Sequence, residues 1–323
     1  MDNKISFPKN YERYIELGQA AMDAKNTEAA LDYFLKAYAI HQDFSLNFLI
    51  VSMYLGSEQP KTALTIASEL KKDYLSSVDS LEFYIQLLIQ NHQFIEAHIL
   101  INDQLLLKKT KNIKPFIALK KQVCQTELLY QQFETSKITE LEQNLKILQT
   151  YSYFEQLTII KQAVQLPKER FIKIGKEILL NSDVHYLVRS WLLNEFEKLN
   201  LTEKICFLWI DQKTYQVIPA NIGDPMDSEI CQRVLLYLEK ELINDHPILL
   251  LELKEEIQLH FVLLYPLIDQ IITDPKLWTI SYISFYDHSL VNFDDNNQED
   301  ISNIKRFQEI QNNIRFNLDA VQL

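Results

Sequence analysis

Over residues 11–107 apolar positions recur at three- and four-residue spacing: Ile15, Ala21 and Met22, then Ala30, Phe34, Ala37 and Tyr38. That is the period of an amphipathic helix. Three short polar breaks interrupt it, at 23–26, 56–60 and 91–93. The helices between breaks are roughly 12–15 residues long, which predicts paired antiparallel helices joined by tight turns. Three alanines, Ala30, Ala63 and Ala97, are spaced by 33 and 34 residues, and each opens a helix just after a break. A small residue there lets two helices cross closely, because the interaxial distance depends on the side chains at the contact.

This register resembles the tetratricopeptide repeat, a helix–turn–helix unit of about 34 residues. In the first copy Tyr14, Leu17 and Gly18 stand where the repeat carries an aromatic, Leu and Gly, and Ala30, Phe34 and Ala37 fall on its A-x3-F-x2-A segment. In the second, Phe48 and Ala63 fit, Val51 and Ser52 replace Leu-Gly, and Ala67 takes an aromatic's place. In the third, Leu81 and Ala97 fit, and Ile85 stands where glycine is usual.

The resemblance implies stacked hairpins whose first helices line a concave groove for an extended or helical peptide. By the repeat's layout Glu12, Ile15, Gln19, Phe48, Ser52, Glu82 and Gln86 face that groove. Repeats of the chaperone-binding type grip a terminal carboxylate with Lys and Asn. Ile15, Gln19 and Leu49 hold those places here, so no such clamp is expected. An acidic rim over an apolar floor suits a basic or amphipathic peptide.

Residues 108–200 stay helical without the signature. Segments 113–133, 139–152, 152–164, 166–180 and 183–199 each read as a helix, with Pro167 suited to a first turn and Asp183 to a cap. They are read as degenerate repeats continuing the solenoid. The period then changes: β-rich runs at 205–210 and 215–218 flank the polar residues 211–214, which predicts a β-hairpin. Helices are expected again at 226–242, capped by Asp224 or Asp227, at 247–265, at 276–288 behind the cap Asp274 and Pro275, and at 301–321, with a polar loop over 292–300. The expected fold class is therefore all-α, a tetratricopeptide-like helical-hairpin solenoid with a small β-hairpin insertion near 205–218. Its expected divisions are repeats at 11–107, degenerate helical repeats at 108–200, and hairpin plus C-terminal helices at 201–323. The whole layout is similar to an uncharacterised family of repeat proteins from low-GC Gram-positive bacteria, a resemblance that implies no activity.

Composition narrows the function classes. The 323 residues are 47% hydrophobic, too apolar for a disordered chain. There are four glycines, where average usage gives roughly 23. Neither G-x-G-x-x-G nor G-x-x-x-x-G-K-[ST] occurs, which argues against Rossmann and P-loop nucleotide enzymes. The net charge of -12 disfavours nucleic acid and anionic membrane as partners. That charge is uneven: net -4 over 1–109, +3 over 110–200 and -11 over 201–323. No apolar run reaches the ~18 residues of a membrane span, and the first residues do not read as a signal peptide. A cytoplasmic location is expected.

Few reactive side chains stand in a pattern that chemistry could use. Cys124, Cys206 and Cys231 are widely spaced, form no C-x-x-C pair and read as small apolar residues. The seven histidines contain no H-E-x-x-H, and His92 and His98 have poor spacing for ligands, so solvent-facing or capping roles are expected. Glu255 and Glu256 are adjacent and diverge on a helix. Asp294 and Asp295, with Glu299 and Asp300, read as a solvated loop, and Ser190 and Ser281 lack a nucleophile motif. The hairpin aromatics Phe207, Trp209 and Tyr215 read as packing residues. No catalytic residue, cofactor or metal is expected. The expected function is a non-enzymatic scaffold or adaptor that binds a protein or peptide. The alternatives are a peptide-sensing regulator, or a hydrolase with a site in the C-terminal third.

Overall fold

The computed structural model describes residues 8–106, 113–287 and 298–319. The chain falls into two compact units, residues 1–135 with 164–168, and residues 136–163 with 169–323.

The first unit is a run of helical hairpins. Helix α1 (Pro8–Asp23) pairs with α2 (Thr27–Tyr38), and α3 (Phe44–Gly56) pairs with α4 (Pro60–Glu69). A single turn, α5 (Lys71–Tyr74), precedes the pair α6 (Val78–Gln90) and α7 (Phe94–Leu106), and α8 (Lys114–Phe133) packs on both. Local chemistry fixes the starts. The side chains of Asn26, Asp43 and Ser77 accept the amides of Ala29, Leu46 and Ser80 at 3.1, 3.0 and 3.2 Å, which satisfies donors the helix itself leaves open. Pro60 opens α4 where a missing N–H costs nothing.

The three hairpin turns end their first helices in one way. Lys25, Glu58 and His92 have φ of 59, 57 and 58°, at the same 33- and 34-residue spacing as the alanines. The following amide then reaches back five residues: Asn26 to the Ala21 carbonyl, Gln59 to Tyr54 and Gln93 to Leu88, each at 2.9 Å. This left-handed stop usually carries glycine, and here it is made without one.

Ala30, Ala63 and Ala97 are all fully buried, each at 0% exposure. Ala30 packs in a core with Phe34, Ala37 and Ile50. Ala63 and Ala97 share the adjoining core with Val51, Tyr84, Ile85 and Phe94. Burial also corrects the register of the second repeat. Counting 33 residues from Tyr14 and Gly18 lands on Asn47 and Val51, one residue before the assignment made from Phe48 and Ser52. Asn47 and Val51 are buried at 0%, whereas Phe48 is 37% exposed. Asn47 therefore fills the aromatic's place. Its amide donates to the Tyr38 hydroxyl at 2.8 Å and to the Ile66 carbonyl at 2.9 Å, and the Tyr74 hydroxyl donates to its oxygen at 2.9 Å. A buried amide is tolerated because each of its groups is bonded.

The second unit begins within α9 (Thr135–Lys146), at Ser136, and this helix is shorter and earlier than the one expected at 139–152. The break comes where Glu155 accepts both the amide and the hydroxyl of Ser152 at 2.9 and 2.7 Å, opening α10 (Tyr153–Ile160). Helix α11 (Lys168–Leu179) starts after Pro167 rather than on it. Helix α12 (Tyr186–Lys198) is capped by His185, whose Nδ1 accepts the Leu187 amide at 3.1 Å; Asp183 lies too early to cap it.

Strands β1 (Ile205–Leu208) and β2 (Thr214–Val217) pair antiparallel, with Phe207 opposite Tyr215. Ile205, Phe207 and Trp209 are buried on one face, as alternation requires. Helix α13 (Glu229–Leu242) is capped by Ser228, not by Asp224 or Asp227. After it come α14 (Pro247–Leu264), the turn α15 (Ile268–Ile271), α16 (Pro275–Tyr286) and α17 (Gln298–Asp319). Asp274 caps α16 as expected, accepting the amides of Lys276 and Leu277 at 2.8 and 2.9 Å. Helix α16 is packed between α13 and α17 and is buried on all sides from Leu277 to Ser284. Its Thr279, Ser281 and Ser284 hydroxyls donate to carbonyls within their own helix, which makes a polar side chain tolerable in that position. Residues His288, Asp294 and Asp295, and the expected end of the last helix, lie outside the described residues.

Candidate functional site

The sequence-derived groove residues occupy repeated positions on the first helices of the hairpins. Ile15, Phe48 and Glu82 are separated by 33 and 34 residues, as are Gln19, Ser52 and Gln86. Glu12, Gln19, Phe48 and Gln86 are exposed, and Ile15, Ser52 and Glu82 are half-buried. Ile15 also packs against the core of the first two hairpins, and all seven retain some exposed surface.

Three of them converge. Glu12, Ile15 and Gln19 line a pocket of about 450 Å³ between α1 and α3, together with Tyr11, Glu16, Phe34, Asp43, Ser45, Leu46 and Leu49. Its floor is Ile15, Phe34, Leu46 and Leu49; three carboxylates, Glu12, Glu16 and Asp43, stand round it, and among the described lining residues none is basic. Ile15, Gln19 and Leu49, which take the places of a carboxylate clamp, thus meet at one site, whose described lining residues include no cation for a terminal carboxylate.

Asp43 ties the pocket to the fold. It caps α3, and it accepts the Tyr11 hydroxyl of α1 at 2.7 Å. Burial alone raises its pKa, but the Tyr11 hydroxyl and the amides of Leu46 and Ser45 outweigh that and hold it below the ordinary carboxylate value. The same bond, with burial and the Asp43 charge, pushes the Tyr11 phenol up to about 12. Asp43 is therefore ionised and Tyr11 neutral across the physiological range.

Phe48 does not line that pocket. It stands beside it in an aromatic group, its ring 4.6 Å from Phe83 and 6.2 Å from both Phe44 and Tyr74. The Ser52 hydroxyl donates to the Phe48 carbonyl at 2.8 Å, inside its own helix. Glu82 and Gln86 lie one hairpin further on, outside the pocket. Sequence spacing alone missed Asp43 and Ser45. The signal for them was the cap position, three residues before Leu46, which sets where α3 starts.

The other candidate groups resolve differently. His98 and His260 are neither solvent-facing nor caps: they are 3% and 0% exposed, and each is bonded to a polar partner, Glu127 and Tyr282. Cys231 is buried, but Cys124 is exposed and Cys206 intermediate. Ser281 is 0% exposed; it donates to the Trp278 carbonyl at 2.7 Å and accepts from Gln311 at 2.6 Å. Glu255 and Glu256 diverge: Glu255 is exposed, while Glu256 binds Arg315 at 2.5 Å and the Tyr286 hydroxyl at 2.9 Å. Phe207 and Trp209 are buried and offer no free stacking face. A cavity of about 380 Å³ beside the hairpin is lined by Trp209, Ile210, Leu264, Ile271, Ile310 and Ile314, with Asp211 and Asn313. It is chiefly apolar, and the His260–Tyr282 pair does not line it.

Stacked hairpins with buried alanines at a 33/34-residue interval, plus one small β-hairpin, define an all-α, tetratricopeptide-like repeat protein. The comparison with known proteins agrees: the chain is 22% identical to the TPR repeat-containing protein YsoA of Bacillus subtilis (strain 168) over 274 residues, 81% of this chain and 79% of that one. No protein-family profile matches the chain, and no solved structure does. Among the described residues no helix is long and apolar enough to cross a membrane.

Proposed function

We propose that this chain is a non-enzymatic scaffold that binds a protein or peptide segment along the first helices of its N-terminal hairpins, and that the segment carries basic and apolar side chains. The observation that carries this reading is the pocket between α1 and α3, where Glu12, Glu16 and Asp43 surround an apolar floor and no described lining residue is a Lys or Arg. A Lys or Arg of the partner would meet the carboxylates while its alkyl stem covers Ile15 and Leu49. An adjoining apolar side chain would meet the exposed ring of Phe48. The aromatic step supplies most of the affinity, and the rim charges supply rate and selection.

The test uses the full chain and fluorescent peptides that share an apolar pattern but carry basic, neutral or acidic flanks. The basic series binds tightest, and its affinity falls with added salt. Glu12→Lys with Glu16→Lys weakens it roughly tenfold and flattens the salt dependence. Phe48→Ala weakens all three series. Equal binding of basic and acidic series, or binding unchanged by both variants, overturns the reading.

A further inference from the structure

Away from this pocket, α7 and α8 bring three different ligand groups to one point. Cys124 and Glu127 are three residues apart on α8, so both leave the same face of the helix. Facing them from α7 is His98, buried at 3% exposure. His98 Nε2 lies 3.0 Å from Glu127 Oε2. One ring nitrogen, one carboxylate oxygen and the Cys124 sulfur all lie within 4.8 Å of one another. The second carboxylate oxygen is held from elsewhere in the chain, accepting the Lys168 backbone amide at 2.8 Å.

We propose that His98, Cys124 and Glu127 form a binding site for one zinc-class divalent cation, with a fourth position open toward solvent. The donor set selects the metal. Magnesium and calcium take oxygen ligands, whereas a thiolate with an imidazole suits zinc. In a tetrahedral zinc site ligand atoms are roughly 3.2–3.6 Å apart. The His98–Glu127 edge is already near that value, and rotation of the exposed Cys124 side chain closes the others. The Lys168 amide orients Glu127 in the manner of an outer-sphere partner that fixes a ligating carboxylate. Charge also balances: a divalent ion, a thiolate and a carboxylate sum to zero, so the nearby Lys120 and Lys168 do not oppose a filled site. Cys124 is an exposed residue, which gives an entry path, and a filled site would tie α7 to α8.

The test is titration of the full-length protein, stripped with a chelator, using Co²⁺ as a spectroscopic stand-in and Zn²⁺ as competitor. The expected result is saturation at one equivalent, with a thiolate-to-cobalt charge-transfer band that Zn²⁺ abolishes and a melting temperature raised by zinc. Cys124→Ser is a near-isosteric change at an exposed residue, so this variant folds. It loses the band and binds zinc roughly 10–100-fold more weakly, while its melting temperature in chelator matches the parent. Cys206→Ser keeps the band. Absence of stoichiometric binding, or a band that survives Cys124→Ser, overturns the proposal. Neither result bears on peptide binding at the α1–α3 pocket, so the two readings stand or fall separately.

Discussion

The Phe34 ring occupies the space that a side chain at Gly18 would need: a Cβ there would lie 2.5 Å from Phe34 Cε1. This contact sets how closely α1 and α2 approach. Gly18→Ala gains about 1 kcal/mol of helix propensity and forces a rigid ring out of a packed core, which costs about 1–3 kcal/mol. Net destabilisation of about 1 kcal/mol is expected from urea unfolding midpoints. Pairing it with Phe34→Leu should cost less than the two single changes added together; strict additivity would show that the ring is not the obstacle.

Asn47 gives the sharpest stability test, because it serves three partners while fully buried. Asn47→Ala leaves the Tyr38 and Tyr74 hydroxyls and the Ile66 carbonyl without it. The expected loss is about 2–4 kcal/mol, against about 1 kcal/mol for Tyr74→Phe, which removes one bond only. Had the repeat's aromatic place been filled by Phe48, the ranking would reverse, with Phe48→Ala the costlier change.

The Tyr11–Asp43 bond makes stability fall at both ends of the pH scale. Asp43 is held below its ordinary value of 3.8. Its contribution is complete above that value and is lost as pH falls through the lower, folded one. Tyr11 is raised from 10.0 to about 12, so its contribution is complete below 10.0 and is lost as pH rises toward 12. Asp43→Asn keeps a capping side chain and removes the charge. Its stability deficit is largest at neutral pH and shrinks in acid, and tyrosinate absorbance titration shows Tyr11 ionising earlier. A deficit independent of pH would remove the charge from the explanation.

In the second unit acid acts through two histidines. Burial, then the Arg315 charge, lowers His260 from 6.5 to about 3. Burial, then Arg189, lowers His185 from 6.5 to about 4. Both remain neutral in the folded chain while the unfolded chain takes up protons, so stability falls as pH drops from 6.5 toward these values. Imidazole resonances followed by NMR should show two rings that do not titrate near 6.5, with unfolding midpoints declining over the same interval. Ordinary titration of all the described histidines would contradict this.

Glu58 is exposed and sits at φ 57°. A side chain in that conformation costs about 1–2 kcal/mol, and glycine returns part of this as unfolded-chain entropy, about 0.4–1 kcal/mol. Glu58→Gly should therefore raise stability by about 0.5–1 kcal/mol, visible as a higher melting temperature.

Much of the first unit could be read from spacing, because helix crossings demand small residues and those recur at a countable interval. The left-handed turns could not. Lys25, Glu58 and His92 share a conformation and no side-chain chemistry. The second repeat slipped by one residue for a related reason: a phenylalanine looks like core, whereas the partners that let Asn47 be buried lie 9, 19 and 27 residues away. Glu12, Ile15 and Gln19 were legible as one face of a helix. That His98 meets Glu127 across 29 residues depends on how α7 lies on α8, which no local pattern encodes.

The row formed by Ile15, Phe48 and Glu82 is geometrically regular and chemically irregular: a branched alkyl group, then a ring, then an anion. A ligand laid along it could not be displaced by one hairpin and find the same surroundings again, nor run the other way unaltered. The repeated architecture is thus a ruler whose graduations each carry a different mark.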